Sequence, residues 1–200
     1  MRSSPGSRDK ILFCARDLFY FVGYQSTSVD DILQVTGVAK SNFYYHFRTK
    51  DELALAVLDL YVADFRERAL GTLSDRSIGP CERLERFCDA LVAAQSDRQE
   101  LGGCPFGNFA AALSVRDGGE RTDRFREALC RVFAQLQSEL AVCIEEGVRV
   151  GAIRTDIAPD ALAATAVAAI EGFMLMAKTH RSPLPLLHGL PVLRLLLRVD

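Results

Sequence analysis

The chain has 200 residues, 49% of them apolar and 25% charged, with 24 basic against 26 acidic side chains. These values are ordinary for a globular protein. They exclude a disordered tail protein, a collagen and a disulfide-stapled miniprotein, and the length allows a sizeable core. The near-neutral total hides an asymmetry. Residues 1–50 carry seven Lys/Arg and four Asp/Glu, net +3, and the remaining 150 carry seventeen and twenty-two, net −5. A small basic N-terminal piece precedes a larger acidic body.

Taken in chain order, the pattern is helical nearly throughout. Ile11, Ala15, Leu18 and Val22 recur at helical spacing, and Gly23 ends that helix. Ser28 with Asp31 forms a capping box that opens a short helix, which Gly37 stops. A third short helix is expected from about Ala39 to Phe47. Thr49 with Glu52 opens a long one to about Leu73. Pro80 suits a first helical position, and Gly102-Gly103-Cys104-Pro105 breaks the chain before a short helix to about Val115. After the loop at Asp117-Gly118-Gly119, long helices are expected over Thr122–Val150 and Pro159–Thr179, then a last short one over about Val192–Val199. Strand and hairpin signals are nearly absent. The fold class is all-α, with about nine helices.

Cys14, Cys81, Cys88, Cys104, Cys130 and Cys143 include no C-x-x-C pair, and five of them sit in apolar helical stretches. They are expected as reduced thiols, mostly small core residues. Met1–Lys10 is polar with no apolar run behind it, so no export signal is expected. Glu171 interrupts the run Ala161–Ala177, and Pro185, Gly189, Pro191 and Arg194 break Leu184–Leu197. Neither stretch reads as a membrane span. The expected location is the cytoplasm, with no membrane partner.

Residues 28–47 carry the chemistry. Two short helices joined through Gly37-Val38-Ala39 have the form of a helix-turn-helix. In such a unit the second helix enters the major groove of double-stranded DNA, N-terminal residues first. Phe43 and Phe47, at i and i+4, must face the core. That leaves Ser41, Asn42 and Tyr45 outward, flanked by Lys40, Tyr44 and His46. Asn pairs with adenine, Lys with guanine or phosphate, and Tyr and His suit phosphate oxygens. Thr27, Ser28 and Lys50 add donors at helix N-termini, where an anion is favoured. A purely structural aromatic helix is the plainer reading of residues 43–47. Five ring-bearing residues in a row, however, cannot all face inward.

Ala15-Arg16-Asp17-Leu18-Phe19, Gly23-Tyr24, Thr27 to Ile32, Thr36 to Lys40, Phe43 to Phe47 and Lys50-Asp51-Glu52-Leu53 together resemble the N-terminal domain of TetR-family transcriptional regulators. The resemblance runs without a gap over about residues 8–57. It implies a helix-turn-helix DNA-binding domain over residues 1–50 and a divergent ligand-binding and dimerisation domain over residues 51–200. It further implies a homodimer that binds a palindromic operator and releases it when a small-molecule effector enters the second domain. By position in the family pattern, Thr27, Tyr44, Tyr45, His46 and Lys50 would meet phosphate. Lys40, Ser41 and Asn42 would lie nearest the bases. Asn42 stands where a small Thr or Ser is common, so the operator need not match those of relatives.

The helices over 122–150 and 159–179 are longer than one small core needs. Paired across a twofold they would make a four-helix bundle, with Ala163, Ala166, Ala169 and Ala177 allowing close approach. Phe87, Leu91, Cys104, Phe106, Phe109, Phe133, Phe173 and Met174 are the candidate lining of an apolar effector pocket, with Glu171 as a possible polar group. Effector entry would tilt the linker helix over 51–73.

Cys104 precedes Pro105 at a helix start, where a thiol is activated, and Lys178 could approach it. Gly-Cys-x-x-Gly-Asn also resembles one subgroup of the family in which some members sense electrophiles or oxidants. The alternative function is therefore a thiol-based electrophile- or redox-sensing repressor using Cys104. The first reading keeps Cys104 as packing at a tight junction. The glycine-rich segment fits neither a P-loop nor a dinucleotide fingerprint. His180 and His188 lack a ligand set for a metal. No hydrolase, kinase or metalloprotease motif occurs, so no enzyme activity and no cofactor are expected. A helical interaction protein that does not touch DNA, or an all-α enzyme of unrecognised type, is the remote alternative.

Overall fold

The structure, a computed structural model, describes residues 6–96, 101–112 and 120–197. Among the described residues it has nine helices and no β-strand. Helix α1 (Ser7–Leu18) runs into a π-helical turn, Phe19–Gly23. Helices α2 (Val29–Thr36) and α3 (Lys40–His46) follow. Helix α4 (Lys50–Phe65) continues through a second π-turn, Arg66–Leu70, into a final turn, Gly71–Leu73. The rest are α5 (Pro80–Ser96), α6 (Pro105–Ala111), α7 (Glu120–Arg149), α8 (Pro159–His180) and α9 (Leu184–Leu197).

The helix starts follow from local chemistry. Ser28 accepts from the Asp31 amide at 3.1 Å and Asp31 accepts from the Ser28 amide at 2.7 Å, closing the expected box. At α4, Thr49 accepts from the Glu52 amide at 3.1 Å, but the Glu52 carboxylate reaches one residue further back, to the Arg48 amide at 2.8 Å. Four orphan amides need acceptors at any helix start; the Ser28–Asp31 box satisfies two of them, whereas at α4 Thr49 satisfies one and Glu52 instead ties down the residue before the cap.

Packing forms two compact units, Met1–Val62 with Pro105–Glu127, and Ala63–Cys104 with Ala128–Asp200. The first buries Ile11, Ala15, Phe19, Ile32, Phe43, Phe47, Leu53 and Val57 from α1 to α4, with Phe106, Phe109 and Phe125 from its second segment. The second holds the larger core, built from Leu73, Phe87, Leu91, Leu140, Ile144, Ile153, Met174, Leu186 and Leu190 among others.

Several expectations are corrected. The last helix begins at Leu184 rather than near Val192. Pro185 sits in its first turn, where an amide is orphaned anyway. Pro191 does cost an internal hydrogen bond, which the burial of Leu186, Leu190 and Leu193 offsets. Gly189 allows α9 to lie against α8, because a Cβ there would collide with the Phe173 ring. The short helix expected to reach Val115 ends at Ala111. The remainder of that expectation, and the loop at 117–119, lie outside the described residues.

Helix α8 is, by length and composition, long and apolar enough to cross a membrane, contrary to the sequence reading. Its Leu162, Ala163, Ala166, Ile170, Met174 and Ala177 are nevertheless buried in the core of the second unit. The same burial corrects the expected contact with a second copy, since Ala163, Ala166 and Ala177 are consumed inside the chain's own core. The cysteines are mostly not core residues either. None of the six forms a disulfide, but only Cys88 and Cys143 are buried, and Cys130 is exposed.

Candidate nucleic-acid interface

The interface is built on the turn between α2 and α3. Gly37 adopts φ +67° and its amide closes on Leu33 O at 2.9 Å, ending α2 within one residue. A side chain in this left-handed conformation meets the following carbonyl. Gly37→Ala is therefore expected to lower stability by about 1–2 kcal/mol, read from urea unfolding, and an unchanged midpoint would remove the argument. Past the turn, Phe43 and Phe47 are buried, with ring centroids 6.1 Å apart. They fix the rotation of α3 about its axis.

That rotation decides what α3 shows to solvent. Tyr45 is 83% exposed and Tyr44 48%, beside exposed Lys40 and Ser41. Asn42 and His46 are half-buried. Lys40 Nζ reaches Asp30 Oδ1 at 3.2 Å in an exposed pair, which solvent makes weak and readily exchanged for a phosphate. The outer face of a short helix thus carries a cation, hydroxyls, an amide and an imidazole, with no carboxylate of its own.

Other expected contact residues are engaged within the chain. Thr27 is buried and its hydroxyl donates to Gly23 O at 2.9 Å. Ser28 is committed to the Asp31 cap, and that hydrogen bonding holds the Asp31 carboxyl below its ordinary pKa. Lys50 Nζ donates to both Tyr24 O and Thr27 O at 2.9 Å and lies 4.3 Å from the Tyr24 ring centroid. Burial pushes its pKa down, partly countered by Asp51. Two carbonyls therefore already occupy the ammonium expected to meet phosphate.

Sequence reasoning missed the residues that brace this face. Ser7 Oγ is 3.0 Å from His46 Nε2 and 3.5 Å from Asn42 Oδ1, tying the start of α1 to α3. The Tyr24 hydroxyl donates to Asp51. Both links join residues far apart in the chain, and no local pattern announces them.

The expected effector residues divide between the units. In the second, Phe87, Leu91 and Met174 are buried in one core cluster, with Cys104 and Phe173 packed against it. Phe133 is half-buried. Glu171 accepts a hydrogen bond from Cys104, and burial raises its pKa. Phe106 and Phe109 belong to the first unit, where Phe109 meets Phe19, Tyr24 and Phe125 at centroid distances of 6.2, 6.1 and 5.7 Å. The second unit also has an open cleft of about 250 Å³ lined by Cys88, Asp89, Val92, Ala93, Leu186, Leu187, Leu190 and Pro191. No group of three or more His, Cys, Asp or Glu side chains placed to hold a metal occurs among the described residues.

Comparison with known proteins covers both units. Residues 11–57 match the family model described as bacterial regulatory proteins, tetR family, and residues 80–191 match the tetracyclin repressor-like C-terminal domain. The chain is 34% identical over 164 residues to the HTH-type transcriptional repressor DhaR of Mycobacterium sp. (strain GP1), covering 82% of this chain and 78% of that one. It is 29% identical to the HTH-type transcriptional regulator LmrA of Bacillus subtilis, covering 91% and 92%. Among solved structures, a regulatory protein TetR from Rhodobacter sphaeroides superposes with a TM-score of 0.84 at 27% identity, covering 96% of this chain and 98% of that one.

Proposed function

This chain belongs to the tetR family of bacterial regulatory proteins and is a DNA-binding transcriptional regulator; from that premise we propose that it is a cytoplasmic homodimeric repressor, reading a palindromic operator with α3 and released by a small molecule. The observation that carries the reading is the outer face of α3, with Tyr44 and Tyr45 held out to solvent by the buried Phe43 and Phe47. Ser41, Asn42 and Lys40 are assigned to base edges, and Tyr44, Tyr45 and His46 to phosphate. Thr27 and Lys50 act as positioning residues, since the carbonyls they bind fix the segment before α2. Ser28 contributes through its cap.

The functional division is placed at about residue 50, with the effector received by the second domain. Phe87, Leu91, Met174 and Glu171 are assigned to an apolar chamber with one carboxyl group, which suits a mostly apolar effector with a single hydrogen-bonding group. Cys104 is read as a wall of that chamber. Its thiol faces the Glu171 carboxyl, and a carboxyl partner does not favour a thiolate. A second copy is assigned to the exposed stripe Ala161, Ala164, Ala168, Leu175 and Met176 of α8. These residues recur at helical spacing and leave the buried alanines undisturbed.

The test is fluorescence anisotropy with DNA flanking the protein's own coding sequence, over a range of salt. Tyr45→Phe is expected to weaken binding by about tenfold, the value of one hydrogen bond to a charged oxygen. Lys40→Ala is expected to reduce the slope of log affinity against log salt by about 1 if Lys40 also touches phosphate, and to leave it unchanged if it touches only a base. Unchanged affinity in both variants would remove α3 from the interface.

A further inference from the structure

We propose that Cys81 and Cys143 form a dithiol site that small-molecule disulfides convert into an intramolecular Cys81–Cys143 bridge. Cys81 lies in the first turn of α5 and Cys143 in the last third of α7, both in the second unit. The Cys143 sulfur donates to Pro80 O at 3.4 Å. That oxygen belongs to the peptide group that carries the Cys81 nitrogen, and covalent geometry puts it about 2.8 Å from the Cys81 Cα. The Cys143 sulfur therefore lies within about 6 Å of that Cα, and forming the bridge requires both side chains to rotate until the sulfurs meet at the roughly 2.0 Å of an S–S bond. The Cys81 sulfur is itself held only by a long contact, 4.0 Å from Ala152 O.

The surroundings are also unlike those of inert packing cysteines. Arg83 is 2% exposed and its Nε is buried with no hydrogen-bond partner. Its guanidinium and that of Arg76 both favour the charged form of Cys143, although burial dominates and raises that thiol's pKa. The two thiols therefore divide the work. Cys81 is half-buried and solvent reaches it, whereas Cys143 is buried. Cys81 attacks first. Its thiolate bonds to one sulfur of the small disulfide and expels the other half as a thiolate, leaving a mixed disulfide. Cys143 then loses its proton and attacks the Cys81 sulfur, with Arg83 stabilising the developing thiolate. The second half leaves in turn. The protein dithiol is oxidised by two electrons, the small disulfide is reduced to two thiols, and those thiols carry the two protons lost by the cysteines.

The test uses the full chain, folded, treated with 4,4′-dithiodipyridine, alkylated and digested with trypsin without reduction. Cleavage after Arg76, Arg83, Arg131 and Arg149 places Cys81 in peptide 77–83 and Cys143 in peptide 132–149, each with one cysteine. The expected product is these two peptides joined, two hydrogens lighter than their sum. Cys143→Ser should trap the mixed disulfide on Cys81. Cys81→Ala should slow modification of Cys143 by at least about tenfold, as for a thiol with no path to solvent. A mixed disulfide persisting on Cys81 in the unmutated chain, or no reaction at Cys81, would overturn the proposal. So would Cys143 reacting in Cys81→Ala at the unmutated rate.

Discussion

Phe43→Ala is expected to abolish operator binding by loosening the head, whereas Tyr45→Ala, two residues along the same helix, should weaken it by at least about tenfold without loosening anything. Phe43 is wholly buried and its ring meets both Tyr44 and Phe47. Truncation leaves a cavity the size of a phenyl ring, at a cost of about 3–5 kcal/mol. The first three helices are short, so little else holds α3 in place once that ring is gone. Tyr45 is 83% exposed, and truncation there should change stability by no more than about 0.5 kcal/mol. Thermal unfolding followed by circular dichroism, beside DNA binding below the transition, separates the two effects. A Phe43→Ala chain that melts like the unmutated one would contradict the burial argument. A Tyr45→Ala chain that keeps full affinity would contradict the interface.

Glu146→Gln should be the most damaging isosteric change in the second unit. The Arg83 side chain is 3% exposed and is held by Leu73 O at 3.1 Å and by the Glu146 carboxylate. Arg76, 60% exposed, holds the other carboxylate oxygen. Neutralising Glu146 leaves a buried cation without its counter-charge, which costs about 3–5 kcal/mol. In a chain of this size that lowers the melting temperature by roughly 10 °C. Arg83→Met should cost less, because Glu146 keeps Arg76 and some solvent. The pair Arg83→Met with Glu146→Leu should recover most of the loss, since an apolar replacement of a buried ion pair is often neutral. Urea unfolding of the unmutated chain, Arg83→Met, Glu146→Leu and the pair closes the cycle. Single losses that add to within about 0.5 kcal/mol in the double variant would mean that the pair is not coupled.

The head was legible in the sequence because its determinants are local. Ser28 and Asp31 lie three residues apart, Gly37 stands at a helix end, and Phe43 and Phe47 are spaced by one turn. Each is a short-range rule, and each reappears in the structure. The last helix was not legible in this way. Pro185, Gly189 and Pro191 read as breakers, yet Leu186, Leu190 and Leu193 share one buried face. Burial against α8 outweighs a local penalty that a single-segment reading overstates. The alanines of α8 failed as dimer markers for a related reason. Small residues signal close approach, but not which neighbour approaches.

By itself, then, the sequence determined the helical class, the order of the helices and the helix-turn-helix with its outward polar face, because periodicity and capping act over a few residues. Only the tertiary structure decided the rest. It turned Lys50 inward onto the carbonyls of Tyr24 and Thr27, set Ser7 against His46 and closed Arg83 onto Glu146. It also parted Phe109 from Phe87 between two compact units. Those contacts join residues 23 to 63 positions apart, and spacing along a chain says nothing about partners that only folding brings within reach.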